Sequence, residues 1–311
     1  TRRSPVRLLA GGRNEHWGPA VFTSDDFGKS WAEEARGSIA FPSDADANIE
    51  QVWQLQPGPV SRPDEVWAGV EPSALFRSDD GGRTYSLVRA LWDHPHRPDW
   101  QPGAGGQCLH TVLPHPDDAD RVLVAMSTGG VYVTEDAGAS WNPSNRGVLA
   151  PFFPDPEPEY GQCVHKVVRD TEDPDLLMLQ NHGGVYRSTD GGASWQVASE
   201  GLPATFGFGL TRTPGADGAF YLFPLSADLN RFPVGGRAGV YRSVDGGKAW
   251  AQVNSESRGD DRWTTRGLDV TTTYGVQFDP HDAKRIFIPY TDIGLFRSED
   301  GGQTWTGSST G

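Results

Sequence analysis

Cysteine is almost missing from this chain. Two thiols, Cys108 and Cys163, in 311 residues cannot build the disulfide framework of a small secreted scaffold, so cysteine usage does not fix a compartment. Long apolar runs are missing as well: no stretch approaches the ~18 residues of a membrane span, and the opening Thr1-Arg-Arg-Ser-Pro5 has no signal-peptide core. These absences favour a soluble chain with no membrane partner, of the bacterial cytoplasm rather than secreted, and the lack of an initiator Met reads as trimming. Positive charge is scarce, with 27 Lys and Arg against 41 Asp and Glu and a net charge of −14. This argues against a nucleic-acid partner, because phosphate backbones are held by basic patches.

What the sequence does have is 39 glycines, 24 prolines and 11 tryptophans in a chain 36% apolar, a composition suited to a large core and many short strands joined by turns. A helical reading fails. The stretch Arg187-Ser-Thr-Asp-Gly-Gly-Ala-Ser-Trp195 recurs with copies opening at Ser24, Ser78, Thr134, Ser188, Ser243 and Ser298, so that successive positions differ by 54, 56, 54, 55 and 55. A fixed period of this length signals an array of structural repeats. Each copy reads Ser/Thr-x-Asp-x-Gly-x-Ser/Thr-aromatic, with Ala249 the exception at the hydroxyl position.

In a tight turn between two strands, the Asp carboxylate accepts backbone N–H groups, the Gly supplies positive φ and the aromatic packs back between sheets. Asp26, Asp80, Asp136, Asp190, Asp245 and Asp300 are therefore structural residues, since what every repeat carries is what every repeat needs to fold. The pattern resembles the Asp-box, or BNR, repeat of sialidase-type β-propellers. The resemblance implies an all-β, six-bladed propeller in one domain, with blades at about 1–40, 41–92, 93–146, 147–200, 201–255 and 256–311.

The first blade lacks its innermost strand in sequence order, an edge that a second copy could pair with; the oligomeric state stays open. Later blades read as four strands each, the fifth with a long insertion at 226–237. Two linkers are long for this architecture, 91–106 and 142–161. Both join the last strand of one blade to the first of the next, on the face opposite the boxes, where function is expected.

Aligning blades on their boxes places His110 and His165 at one structural position, each in the context Gly-Gln-Cys-x-His. Matching Val52, Val112 and Val167 puts Glu50 at that position one blade earlier and Phe208 and Tyr274 there later. Glu71, Asn181, His182 and Asp292 reach the same face. Imidazoles and carboxylates around a concave site suit a divalent metal whose bound water is a nucleophile near neutral pH. The expectation is that His110, His165 and His182 share a cation, zinc with calcium as the alternative, and that Glu50 and Glu71 complete the shell or activate water. Trp92, His94, Trp100, Phe152, Phe153 and Tyr160 would form an apolar collar for a small-molecule substrate, with Asn181 beside it. The competing reading makes all of these polar channel lining, His16, His94 and His96 surface residues, and both cysteines buried structural thiols.

Proteins with these boxes include sialidases, xyloglucan-cleaving glycosidases, sortilin-type receptors and photosystem assembly factors, so the fold leaves the chemistry open. From Phe41 to Trp250 the chain is similar to a group of bacterial sialidase-like, glycosyl-hydrolase-like repeat proteins, through Gly69-Val-Glu-Pro72, Trp100-Gln-Pro-Gly103, Gly161-Gln-Cys-Val-His-Lys166 and Gln180-Asn-His182. The Arg-Ile-Pro motif and arginine triad of true sialidases find no counterpart here. The last unit, from Gly267, resembles a different set of BNR proteins. Three functions follow: a metal-dependent hydrolase of an ester, lactone or phosphoester, similar in layout to six-bladed lactonases; a glycosidase using paired carboxylates such as Glu50 and Glu71; and a non-catalytic binding scaffold. The first is the expectation taken forward.

Overall fold

A computed structural model describes residues 7–14, 18–33, 37–103, 106–215, 218–234, 239–253, 255–257, 263–265, 275–279, 281–290 and 294–308. His16, Tyr274 and Asp292 lie outside the described residues. The chain divides into two compact units, residues 1–146 with 150–164, and residues 147–149 with 165–311. No helix among the described residues is long and apolar enough to cross a membrane.

The first unit holds three antiparallel meanders. Its opening sheet has three strands, β1 (Leu8–Asn14), β2 (Gly18–Ser24) and β3 (Ala32–Glu33). The next has four, β4 (Gln51–Pro57), β5 (Val66–Glu71), β6 (Ala74–Ser78) and β7 (Ser86–Leu87). The third follows suit with β8 (Leu109–Pro114), β9 (Val122–Met126), β10 (Gly130–Thr134) and β11 (Asn142–Pro143). Strands β5 and β9 are nearly continuous apolar runs, Val-Trp-Ala-Gly-Val and Val-Leu-Val-Ala-Met, because both of their faces are covered. Neighbouring sheets approach closely at Gly69, where an added Cβ would lie 2.3 Å from the Leu109 carbonyl oxygen.

In the second unit, β12 (Val164–Arg169) begins at the boundary and leads β13 (Leu177–Asn181), β14 (Gly184–Ser188) and β15 (Gln196–Val197). The next sheet runs β16 (Phe206–Arg212), β17 (Phe220–Ala227), β19 (Val240–Ser243), β20 (Ala251–Val253), while β18 (Asn230–Pro233) turns back on β17 as a hairpin. A two-stranded ribbon, β21 (Ser255–Ser257) with β22 (Trp263–Thr265), precedes the last sheet of β23 (Gln277–Asp279), β24 (Asp282–Tyr290), β25 (Gly294–Ser298) and β26 (Thr306–Ser308).

Every box fills the turn between the last two strands of its sheet. At Asp26, Oδ1 accepts the Ser30 N–H (2.9 Å) and the Ser24 hydroxyl (2.8 Å), Oδ2 accepts the Ser30 hydroxyl (2.6 Å), and Ser24 Oγ accepts the Gly28 N–H (2.8 Å). The same bonds recur at Asp80, Asp136, Asp190 and Asp300. Asp245 keeps the backbone bonds but has Ala249 where the others have a hydroxyl. Donors converging on one carboxylate favour its charged form. The Ser30, Ser140 and Thr304 hydroxyls are the main cause that holds Asp26, Asp136 and Asp300 at about 2. Six blade-like sheets, each closed by one such box, define an all-β fold of the β-propeller class.

The box aromatics are not all equivalent. Tyr85, Trp141, Trp195 and Trp250 are buried, whereas Trp31 is 46% exposed, which corrects the expectation of six like packing positions. Tyr85 lies in a cluster with Val21 of the opening sheet, Trp141 with Trp67 of the second, and Trp250 with Met178 of the sheet before it. Each of these three is thus covered by the sheet that precedes it in the sequence.

Candidate functional site

The innermost strands carry a bulge that aims one side chain out of the ladder. In β4, Val52 pairs with Val70 and Gln54 with Gly69, leaving Trp53 as the extra residue. In β8, Leu109 pairs with Met126 and Thr111 with Ala125, leaving His110. Val70 and Met126 stand equally far before their boxes, so the counterpart of His110 is Trp53 and not Glu50. Bulges add a residue that alignment on flanking valines does not see. In the second unit, β16 shifts register between Gly207 and Leu210, around Phe208. Trp53 and Phe208 are 41% and 43% exposed.

Glu50 and Glu71 do not form a facing pair. Gln51 is the register partner of Glu71, and the pleat sends successive side chains to opposite faces. Glu71 therefore shares a face with Trp53, whose Nε1 donates to its Oε2 at 3.0 Å. Glu50 is exposed and linked to Glu71 through its backbone N–H, which donates to the Glu71 carbonyl at 2.8 Å. Gly106, at φ +89, makes room for this carboxylate: a Cβ there would sit 2.0 Å from Glu71 Oε1. Nearby Cys108 is buried against the Ser127 hydroxyl (3.2 Å), and burial pushes its thiol up to about 11, so it stays protonated at neutral pH.

His110 is fastened at both ring nitrogens. Its Nε2 lies 2.8 Å from the Val164 carbonyl, which can only accept, and its Nδ1 lies 2.9 Å from the Thr111 hydroxyl, which donates in return. The long loops of this unit are also structural. Trp92 is buried in a cluster with Phe76 and Tyr85, Arg97 standing 3.3 Å over its ring. Trp100 is buried beside Tyr132, to whose hydroxyl its Nε1 donates at 3.1 Å. These two indoles are core rather than collar. His94 bonds the Trp141 carbonyl through Nε2 (3.2 Å), and burial lowers its pKa, the neighbouring His96 adding to the effect. His96 stacks on Tyr160 at 3.9 Å, and the Tyr160 hydroxyl donates to Asp99 at 2.8 Å. Phe152 and Phe153, 48% and 40% exposed, are in contact with each other (4.9 Å).

The second unit does bring two of the predicted residues together. His165 and His182 have ring centroids 5.7 Å apart, packed against Phe206 and, for His165, stacked on Phe208 at 4.5 Å. His165 Nδ1 lies 2.7 Å from the Gly207 carbonyl, and His182 Nε2 lies 3.2 Å from Asp228 Oδ2. Burial depresses the His165 pKa to about 4. Asp228 also accepts from Arg231 (2.9 Å), whose guanidinium stands over the Phe206 and Phe208 rings. Asn181 is wholly buried and serves the turn, its Nδ2 donating to the Leu149 carbonyl (2.8 Å) and its Oδ1 accepting the Gly183 N–H (2.7 Å); it is core where the sequence placed it beside a substrate.

Trp53, Phe206, Asp228 and Arg231 were not legible as site residues. Asp228-Leu-Asn-Arg231 has the composition of a turn inside the long insertion, and that signal would have found the hairpin.

Comparison with known proteins gives the class. The BNR-Asp box repeat family matches residues 21–34, and with six boxes on six sheets the chain is an Asp-box β-propeller protein. A xyloglucanase of a Paenibacillus species is 28% identical over 229 residues, 66% of this chain and 21% of that protein. The Acetivibrio thermocellus xyloglucanase Xgh74A is 26% identical over 262 residues, 76% of this chain and 29% of its own length. The chain thus spans less than a third of the curated relatives it matches. Among solved structures, an ancestral GH74 enzyme superposes with a TM-score of 0.60 at 17% identity, covering 97% of this chain and 37% of its own, and YCF48 bound to the D1 peptide with 0.58 at 13%, covering 97% and 78%. At that identity they speak for the fold.

These relatives overturn the ester, lactone or phosphoester reading, since they are named for cleaving a polysaccharide. The physical ground agrees: His110, on which that reading leaned, has both nitrogens in hydrogen bonds.

Proposed function

We propose that the chain serves a glycoside hydrolase of the xyloglucanase kind and engages a polysaccharide. The observation that carries this is the match to xyloglucanases along 66% and 76% of the chain. Each unit supports it by presenting an exposed aromatic ring against a charged side chain, Trp53 on the Glu71 carboxylate and Phe208 under the Arg231 guanidinium. Aromatic faces suit the apolar C–H faces of sugar rings, and carboxylate oxygens accept sugar hydroxyls.

Glycosidases use one carboxyl group as acid and another as nucleophile or base. Glu71, its Oε2 fixed by the Trp53 indole, is the candidate for one of these roles. In affinity electrophoresis the chain should be retarded by xyloglucan and not by pullulan, and incubation with xyloglucan should release reducing ends. Equal mobility with and without xyloglucan would overturn the proposal.

A further inference from the structure

The two histidines of the second unit are held as metal ligands are held. A ligating imidazole needs its lone pair on one nitrogen and a fixed acceptor on the other, which sets tautomer and ring orientation together. His165 Nδ1 faces the Gly207 carbonyl at 2.7 Å. That oxygen can only accept, so the proton sits on Nδ1 and the lone pair on Nε2. His182 Nε2 faces Asp228 Oδ2 at 3.2 Å, and since a carboxylate likewise only accepts, its lone pair is on Nδ1. One atom from each ring lies within 4.8 Å of one from the other.

The supports beneath these rings are unusually complete. Asp228 is oriented in turn by Arg231, and Arg231 lies over Phe206 and Phe208. His182 rides on a turn locked from two sides. Gln180 Nε2 shares its two N–H groups among the carbonyls of Asn181 (3.0 Å), Gly184 (3.1 Å) and Thr205 (2.7 Å), while Asn181 ties the same turn to Leu149. His165 stands in β12, stacked on Phe208. Rigid elements and supporting contacts of this kind distinguish a built ligand set from two histidines that happen to meet.

We infer that His165 and His182 form a two-imidazole site for a late divalent transition metal, zinc above all, with Asp228 as the carboxylate that orients His182 and water completing the shell. Nitrogen ligands select zinc and its neighbours over magnesium or calcium, which prefer oxygen. His110 is not part of the site. Zinc binding here does not depend on polysaccharide cleavage, and either can fail alone.

The test is equilibrium dialysis of the whole chain against zinc chloride with elemental analysis, followed by calorimetric titration. One zinc per chain is expected. His165→Ala and His182→Ala should each weaken binding at least a hundredfold, Asp228→Asn should weaken it ten- to hundredfold as loss of an orienting carboxylate does, and His110→Ala should retain it. Should His165→Ala fail to fold, the more exposed His182 and Asp228, whose side chains are 28% and 36% exposed, still decide the matter. A wild-type chain without stoichiometric zinc, or a folded His182→Ala that binds zinc as tightly as wild type, overturns the assignment.

Discussion

Trp53 and His110 occupy the same bulge in neighbouring sheets, one turned outward with its indole on Glu71, the other with both nitrogens in hydrogen bonds. One backbone irregularity thus serves two ends, and substitutions at the two positions should separate them. Trp53→Ala is expected to leave the thermal midpoint within a few degrees and to weaken xyloglucan binding about tenfold, ~1.4 kcal/mol. His110→Ala should do the reverse, costing about 1–3 kcal/mol in urea unfolding by stripping partners from Thr111 and Val164 while binding is kept.

Glu71→Gln separates positioning from chemistry. The amide oxygen still accepts the Trp53 N–H, so polysaccharide affinity should hold while reducing-end release falls by two orders of magnitude or more. Undiminished release in this variant would remove Glu71 from the reaction.

The fold was legible where a local rule repeats. Six boxes spaced by one period specify a turn, a strand on either side and an aromatic to bury, all within a dozen residues. The candidate site was less so, because bulge positions and the β17–β18 hairpin depend on cross-strand register. Trp53 is indistinguishable from a core indole until its ladder partner is known, and Trp92 and Trp100, which read as loop aromatics, are core because Phe41 and Tyr132 stand beside them. Nothing local in Asp170 and Arg212 announces that they meet.

That meeting is a buried ion pair, with Arg212 Nε 2.8 Å and Nη2 3.1 Å from the two Asp170 oxygens and side chains 2% and 8% exposed. Arg212→Ala should cost about 3–5 kcal/mol in urea unfolding, and Arg212→Lys should not restore the loss, because an ammonium cannot bond both oxygens. Burial alone would raise the Asp170 pKa, but the Arg212 guanidinium and the Asp173 and Glu172 N–H groups hold it below the usual carboxylate range. A depressed folded pKa adds stability that is present above the unfolded value and lost as pH falls through the folded one. The Arg212-dependent part of stability should therefore be constant near neutral pH and shrink below about pH 4.

The same sign applies to the box aspartates held at about 2. Unfolding midpoints should decline between about pH 4 and pH 2, and Asp136→Asn should flatten part of that decline.

Asp245 lacks the hydroxyl that every other box directs at its second carboxylate oxygen. Ala249→Ser supplies it and should stabilise the second unit by about 0.5–1.5 kcal/mol, read as a raised thermal midpoint. A midpoint unchanged in Ala249→Ser would mean that water already does the work of the missing hydroxyl.

Tyr85, Trp141 and Trp250, each covered by the sheet before it, give their part of the array a polarity. At these three boxes the repeat acts as a clasp that shuts backward onto its predecessor, so damage at the box is felt one sheet upstream. Trp141→Ala should loosen amide protection in β5, around Trp67, before it loosens the strands that follow it. Trp67 in β5 thus owes part of its cover to the sheet that follows it in the sequence.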